Sequence, residues 1–116
     1  MLFINYPKCS TCKKAKEYLD SRNISYIDRN IKEDNPTIEE LEKYIKLSGK
    51  DINKFFNTSG ILYRELRLKD KLKTMSEVDK LKLLSSNGML VKRPILVTDN
   101  LVLIGFKEKE WENISE

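Results

Sequence analysis

The chain has 116 residues, a net charge of +4, 40% hydrophobic and 34% charged residues. That is enough for one domain with a sizeable core, too apolar for a disordered chain and too polar for a membrane protein. There is no histidine, which excludes Cys-His and Ser-His catalytic pairs and leaves a zinc site only two cysteines and carboxylates to draw on, so no metal and no bound cofactor is expected. No apolar run reaches the length of a membrane span, and Met1-Leu2-Phe3-Ile4-Asn5 lacks the basic start and long apolar stretch of a signal peptide. The cytoplasm is the expected compartment.

Leu2 to Tyr6 reads as a buried strand. It runs into Tyr6-Pro7-Lys8-Cys9-Ser10-Thr11-Cys12-Lys13-Lys14, which holds both cysteines of the chain. A helix is predicted from Cys9 to Arg22, with Cys12, Ala15 and Leu19 on one face and Asn23 at its end. Two thiols at this spacing share one helical turn, close enough to exchange a disulfide. Cys9 falls at the helix start, where unpaired N–H groups and the helix dipole favour a thiolate, and Lys8, Lys13 and Lys14 add positive charge. Cys9 is the expected nucleophile and Cys12 the resolving thiol, with Lys8, Ser10 and Thr11 as substrate-contacting neighbours. The alternative is a pair of incidental buried cysteines. Ile24 to Asp28 is expected to form a second strand, completing a right-handed parallel βαβ unit.

From about Asp34 to Met89 the pattern is helical, with no strand signal. Thr37 and Glu40 fit a capping box, Ile38, Leu41, Tyr44 and Ile45 form a stripe, and Ser48-Gly49 ends the helix. Ile52 to Phe56 is a short apolar patch, with Phe55 and Phe56 as core residues. Asn57-Thr58-Ser59-Gly60 is either a plain turn or a set of donors near the cysteine, with Asn57 and Thr58 the candidate substrate contacts. One short helix is expected within Ile61 to Leu68. Ser76 caps another that carries Val78, Leu81 and Leu84 and stops at Asn87-Gly88. Lysines along this stretch alternate with Glu and Asp, as on solvated helix faces, so direct nucleic-acid binding is not expected.

The end returns to β structure. Ile95 to Val97 and Leu101 to Ile104 flank Thr98-Asp99-Asn100 as a hairpin, and Lys107 to Ile114 reads as a helix anchored by Trp111 and Ile114. Arg93-Pro94 opens the first hairpin strand. Pro94 there is a candidate cis bond or an ordinary trans start. Arg93 either points toward the Cys9 thiolate, lowering its pKa and holding an oxyanion, or is a surface cation beside Lys92. The order βαβ, helical block, ββα implies two layers of helices around a small mixed sheet. It is the order of a thioredoxin-like α/β fold with a central helical insertion. One domain over 1–116 is expected, with 1–33 and 90–116 as the sheet part and 34–89 as the insertion.

Over nearly its whole length the chain resembles the arsenate reductase-like family, the ArsC and Spx group of thioredoxin-fold proteins. The matching stretches are Tyr6 to Ala15, Phe55 to Gly60, Tyr63-Arg64-Glu65-Leu66, Lys92-Arg93-Pro94 and Leu103-Ile104-Gly105-Phe106. Within the family the chain is most similar to short members from Gram-positive bacteria. The resemblance implies a nucleophilic Cys9 and an arginine, Arg93, before a cis Pro94 that lines the substrate groove. It also implies a thiol-dependent reductase recycled by thioredoxin, glutaredoxin or glutathione. Of the three arginines that surround arsenate in the glutaredoxin-coupled enzymes, only Arg93 is retained. Asn57 stands at the first position, and the third falls at or near Gly105. The Cys9–Cys12 pair instead matches the redox switch of the Spx regulators, which bind the C-terminal domain of the RNA polymerase α subunit. Nothing in the sequence requires an obligate dimer, and a monomer is expected.

Overall fold

In the computed structural model, which describes residues 1–114, the N-terminal apolar run forms β1 (Leu2–Asn5). β2 (Ile27–Asn30) pairs with it in parallel and β3 (Ile95–Val97) antiparallel on its other side. β4 (Val102–Ile104) pairs with β3, so the sheet order is β2-β1-β3-β4. The last residues of the expected domain, Ser115 and Glu116, lie outside the described residues.

The period-two alternation of strands sorts side chains onto the two faces. Phe3, Leu96 and Leu103 stand level with one another and join Ala15, Leu19 and Trp111 in one core. Ile4, Ile95 and Ile104, one residue along each strand, join Leu41, Phe55, Leu68 and Leu84 in the other. The first face is covered by α1 (Ser10–Ser21) and α6 (Glu108–Trp111). The second is covered by α2 (Ile38–Ser48), α4 (Leu68–Lys71) and α5 (Glu77–Ser86), with the 3-10 turn Ile52–Phe55. The expected two layers of helices around a small mixed sheet are present.

Several details differ from expectation. β2 starts at Ile27, not Ile24. Asn23 adopts a left-handed conformation (φ 57°) that turns the chain sharply at the end of α1. Ile24 and Tyr26 are then used to cover the first core, Tyr26 edge-on to Phe3 at 5.3 Å, so pairing begins when Ile27 N–H donates to Met1 O at 2.8 Å. The single helix expected within Ile61–Leu68 is two, α3 (Ile61–Glu65) and α4, broken where Arg67 takes φ 54°. Val78 is 60% exposed rather than part of the α5 stripe. Steps of three residues drift about 60° each on a helix of 3.6 residues per turn, so Val78 lies about 120° from Leu84. α6 is one turn ending at Trp111, and Ile114 packs on the core from the turn that follows. The expected helical block also makes one β-bridge, Phe56 to Val91. After α5 the chain passes so close to the β2–α2 connection that a Cβ on Gly88 would lie 1.8 Å from Ile31 O, which only glycine avoids.

α2 carries the expected capping box, Thr37 with Glu40, and ends at a left-handed Gly49 (φ 68°). Glu40 also receives two bonds from Arg29 of β2, at 2.7 and 2.9 Å, and the Arg29 side chain is only 12% exposed. The Arg29 bonds, reinforced by the Thr37 backbone and opposed by burial, hold the Glu40 carboxyl down at about 2. Its folded value lies below the roughly 4.3 of an unfolded glutamate. The stabilisation is therefore complete above about pH 5 and is lost as the pH falls toward 2. Glu40→Gln is expected to cost about 2 kcal/mol at pH 7 and to flatten the acid limb of stability. Urea unfolding at pH 7 and pH 3 checks this, and an equal loss at both pH values would refute the ion-pair account.

Candidate functional site

β1 delivers the chain to the start of α1, and Cys9 is its N-cap, with extended backbone (φ −99°, ψ 118°). The Cys9 Sγ accepts the Cys12 N–H at 3.3 Å, doing with sulfur what serine oxygen does at ordinary helix starts. The first turn holds no acidic residue, so nothing cancels the positive helix end. Cys12, one turn on, is 1% exposed, and both cysteines are free thiols.

The two sulfurs are driven apart in acidity. Burial raises the Cys9 thiol, but donation from the Cys12 thiol and backbone N–H, helped by the nearby Arg93 guanidinium, outweighs it and brings Cys9 below the ordinary value. Burial, and then the role of donor to Cys9, push Cys12 up to about 12. One sulfur is thus shifted toward the thiolate while the other holds its proton.

Arg93 comes from the other end of the chain, at the entry to β3. The Arg93–Pro94 bond is cis, the isomer implied by the family resemblance. The guanidinium packs on the Tyr6 ring at 5.2 Å, and its buried Nη1 has no hydrogen-bond partner among the described residues. Pro94 is buried, and its carbonyl accepts Gly105 N–H at 2.8 Å, tying the start of β3 to the end of β4. The Asn57–Gly60 turn is closed by Gly60 N–H to Asn57 O (3.1 Å) and anchored by Asn57 N–H to Leu90 O (2.8 Å).

Cys9, Thr11, Asn57, Ser59, Arg93 and Phe106 line one cleft of about 280 Å³. Of the sequence-predicted residues, Cys9, Thr11, Asn57 and Arg93 are thus brought together. Thr58 and Pro94 are not among them: Thr58 lines the adjoining cavity, and Pro94 is buried behind Arg93 at the start of β3. Lys8 and Ser10 are exposed and line neither. They flank Cys9 in the chain at the start of α1. Sequence reasoning passed over Tyr6 and Phe106 as site residues, and over Lys92 and Lys107, which also line the cleft. Tyr6, directly before the Cys9 motif, was a usable signal, whereas Lys107 carried none. The Lys92 Cε would lie 2.9 Å from a Cβ on Gly105, so a basic side chain occupies the space beside that glycine. A larger concavity of about 450 Å³ near the Thr98–Leu101 turn holds no thiol and no basic side chain. Among the described residues, no three His, Cys, Asp or Glu side chains gather as a metal site would require, and no helix is long and apolar enough to cross a membrane.

Comparison with known proteins agrees with this fold. The ArsC family model matches residues 4–114. Protein YusI of Bacillus subtilis is 48% identical over 97% of this chain and 95% of its own. Global transcriptional regulator Spx 1 of Bacillus cereus is 28% identical over 90% of this chain and 78% of its own. The crystal structure of an ArsC family related protein from Bacteroides fragilis superimposes with a TM-score of 0.94 at 57% identity, covering 96% of this chain and 93% of that one.

Proposed function

The chain belongs to the ArsC family, and on that premise we propose that it is a thiol-disulfide oxidoreductase working through Cys9 and Cys12. The observation that carries the reading is the opposed acidity of two sulfurs one turn apart, with Cys9 lowered and Cys12 raised to about 12. The Cys9 thiolate attacks a sulfur of the substrate disulfide and forms a mixed disulfide. Once its sulfur bonds to the substrate, Cys9 no longer accepts the Cys12 proton, and Cys12 becomes free to attack it and release the reduced substrate. Thioredoxin, glutaredoxin or glutathione then restores the dithiol. Arg93 stabilises the thiolate, and Pro94 shapes the groove beside it. Arsenate is not the substrate proposed, because one guanidinium replaces a three-arginine cage and Asn57 and Gly105 supply no cation. The cytoplasm, where thiols are kept reduced, is the compartment this chemistry suits.

Two measurements test it. With Cys12→Ser, a non-reducing pull-down from lysate is expected to hold a reductant or client in disulfide linkage to Cys9, identified by mass spectrometry. Capture of nothing through Cys9 would count against turnover. Arg93→Met is expected to raise the Cys9 pKa, because it removes a favourable charge from the thiolate. The alkylation rate with iodoacetamide should therefore fall at pH 7 and recover at higher pH. An unshifted pH profile would remove Arg93 from the mechanism.

A second reading is supported by the similarity to Spx 1. The same Cys9–Cys12 disulfide would switch a surface that binds the RNA polymerase α subunit, with no turnover. Polymerase co-purifying with the oxidised chain and not the reduced one, without catalytic exchange, would favour it.

A further inference from the structure

Beside the Cys9 cleft, and sharing Lys92, Ile104 and Lys107 with it, opens a cavity of about 640 Å³. Six lysines surround it, Lys50, Lys54, Lys69, Lys73, Lys92 and Lys107, against one acid, Asp51. Its apolar wall comes from Phe56, Tyr63 and Leu72. Lys50 is paired with Glu110 at 3.2 Å and Lys73 loosely with Asp70 at 3.9 Å. Lys54, Lys69, Lys92 and Lys107 have no carboxylate partner among the described residues. A third concavity of about 490 Å³ shares Thr58, Tyr63 and Lys69 with the second and adds Arg64, Arg67 and one acid, Asp70. The three form one basic trough that ends at Cys9.

Cations crowded around a concave surface repel one another and concentrate anions from solution. Each concavity alone has the volume of a small-molecule site, so one small anion would leave most of the trough empty, whereas an extended chain would fill it. The trough leads to a thiol, and an occupant spanning it must bring a sulfur there. A peptide with a cysteine does so and a nucleic acid does not.

We infer that the trough binds an acidic segment of a protein disulfide substrate, its carboxylates on Lys54 and Lys69 while a nearby cysteine sulfur meets Cys9. The inference rests on the thiol-exchange reading and adds its substrate class. In the reaction, the Cys9 thiolate attacks the segment's sulfur and the substrate S–S bond breaks. The leaving thiolate takes a proton from water. The Cys12 sulfur then attacks Cys9, and its proton goes to the departing segment thiolate. Cys9 and Cys12 end as a disulfide, and the substrate has gained two electrons and two protons.

The test uses the reduced full chain and two cysteine peptides activated as 2-pyridyl disulfides, one flanked by Asp and Glu, the other by Ser and Gln. Release of pyridine-2-thione is expected to be about tenfold faster for the acidic peptide at low salt. The ratio should fall toward one near 1 M salt, where screening is nearly complete. Lys54→Gln with Lys69→Gln, both exposed and outside the cleft, should abolish the ratio and leave the neutral peptide's rate unchanged. Lys43→Gln with Lys82→Gln, exposed lysines away from the trough, should leave the ratio intact. Equal rates at low salt, or a ratio that survives K54Q/K69Q, would overturn the inference. If neither peptide reacts, the thiol-exchange reading fails and takes the substrate assignment with it. Fluorescence anisotropy of the acidic peptide with serine in place of cysteine tests the surface without thiol chemistry: K54Q/K69Q should weaken it about tenfold. Tighter binding of a single-stranded oligonucleotide than of that peptide would overturn the choice of a peptide.

Discussion

Cys9→Ser is expected to reduce disulfide exchange to the uncatalysed background, a loss on the order of a thousandfold or more. A serine hydroxyl does not ionise at neutral pH, and no histidine is present to deprotonate it. Cys12 cannot take over, because it is only 1% exposed and burial keeps its proton on. The substitution also separates chemistry from folding. Cys9 is the N-cap of α1 and serine is a preferred N-cap residue, so the Cys12 N–H keeps its acceptor and the melting temperature should hold or rise slightly. Stopped-flow exchange with a neutral disulfide, alongside a thermal melt, reads both quantities. A variant retaining more than about a tenth of the rate would reassign the nucleophile to Cys12.

Trp111→Ala should cost about 3–5 kcal/mol, a large part of the total stability of a domain of this size. Trp111 is fully buried and meets Phe106 at 5.0 Å, Phe3 at 6.3 Å and Tyr18 at 6.4 Å, each edge to face. Its indole N–H donates to Gly105 O at 3.2 Å. The same ring therefore supports the end of β4, where Gly105 N–H bonds to Pro94 O and Phe106 lines the cleft. Removing it opens a cavity under the site and leaves a buried carbonyl unpaired. Trp111→Phe, which keeps an aromatic ring but loses the donor, should cost less than Trp111→Ala, the unpaired carbonyl alone accounting for about 1–3 kcal/mol. Urea unfolding measures both, and a loss below 1 kcal/mol for Trp111→Ala would show that the contacts around it are replaceable.

Much of the molecule was legible in short stretches of chain. Leu2 to Ile4 is an apolar run that forms a buried strand, Thr37 and Glu40 spell a capping box, and Cys9-Ser10-Thr11-Cys12 sits where a strand gives way to a helix. What was misread lies where one segment answers to another. Ile24 and Tyr26 look like strand residues but are needed to cover Phe3 and its neighbours, which delays β2. Val78 fits a three-residue spacing yet turns away from the core. Arg67 has no local feature that marks it as the residue to break a helix.

The sequence by itself determined where the two thiols sit, because thiol spacing, helix start and neighbouring charge are all written within a few consecutive residues. It determined the two-faced sheet for the same reason, since strand alternation is a local property. Only the tertiary structure decided what surrounds Cys9. Arg93 and Phe106 reach the cleft from the far end of the chain through β3 and β4, and Asn57 through a turn anchored to Leu90. The lysines are the sharpest case. Along the chain they alternate with acids and read as solvated helix faces, but folding turns Lys54, Lys69, Lys92 and Lys107 toward one trough, with the cavity they share lined by a single acid. Charge adds through space and not along the chain, so a field of this kind exists only once the helices have packed.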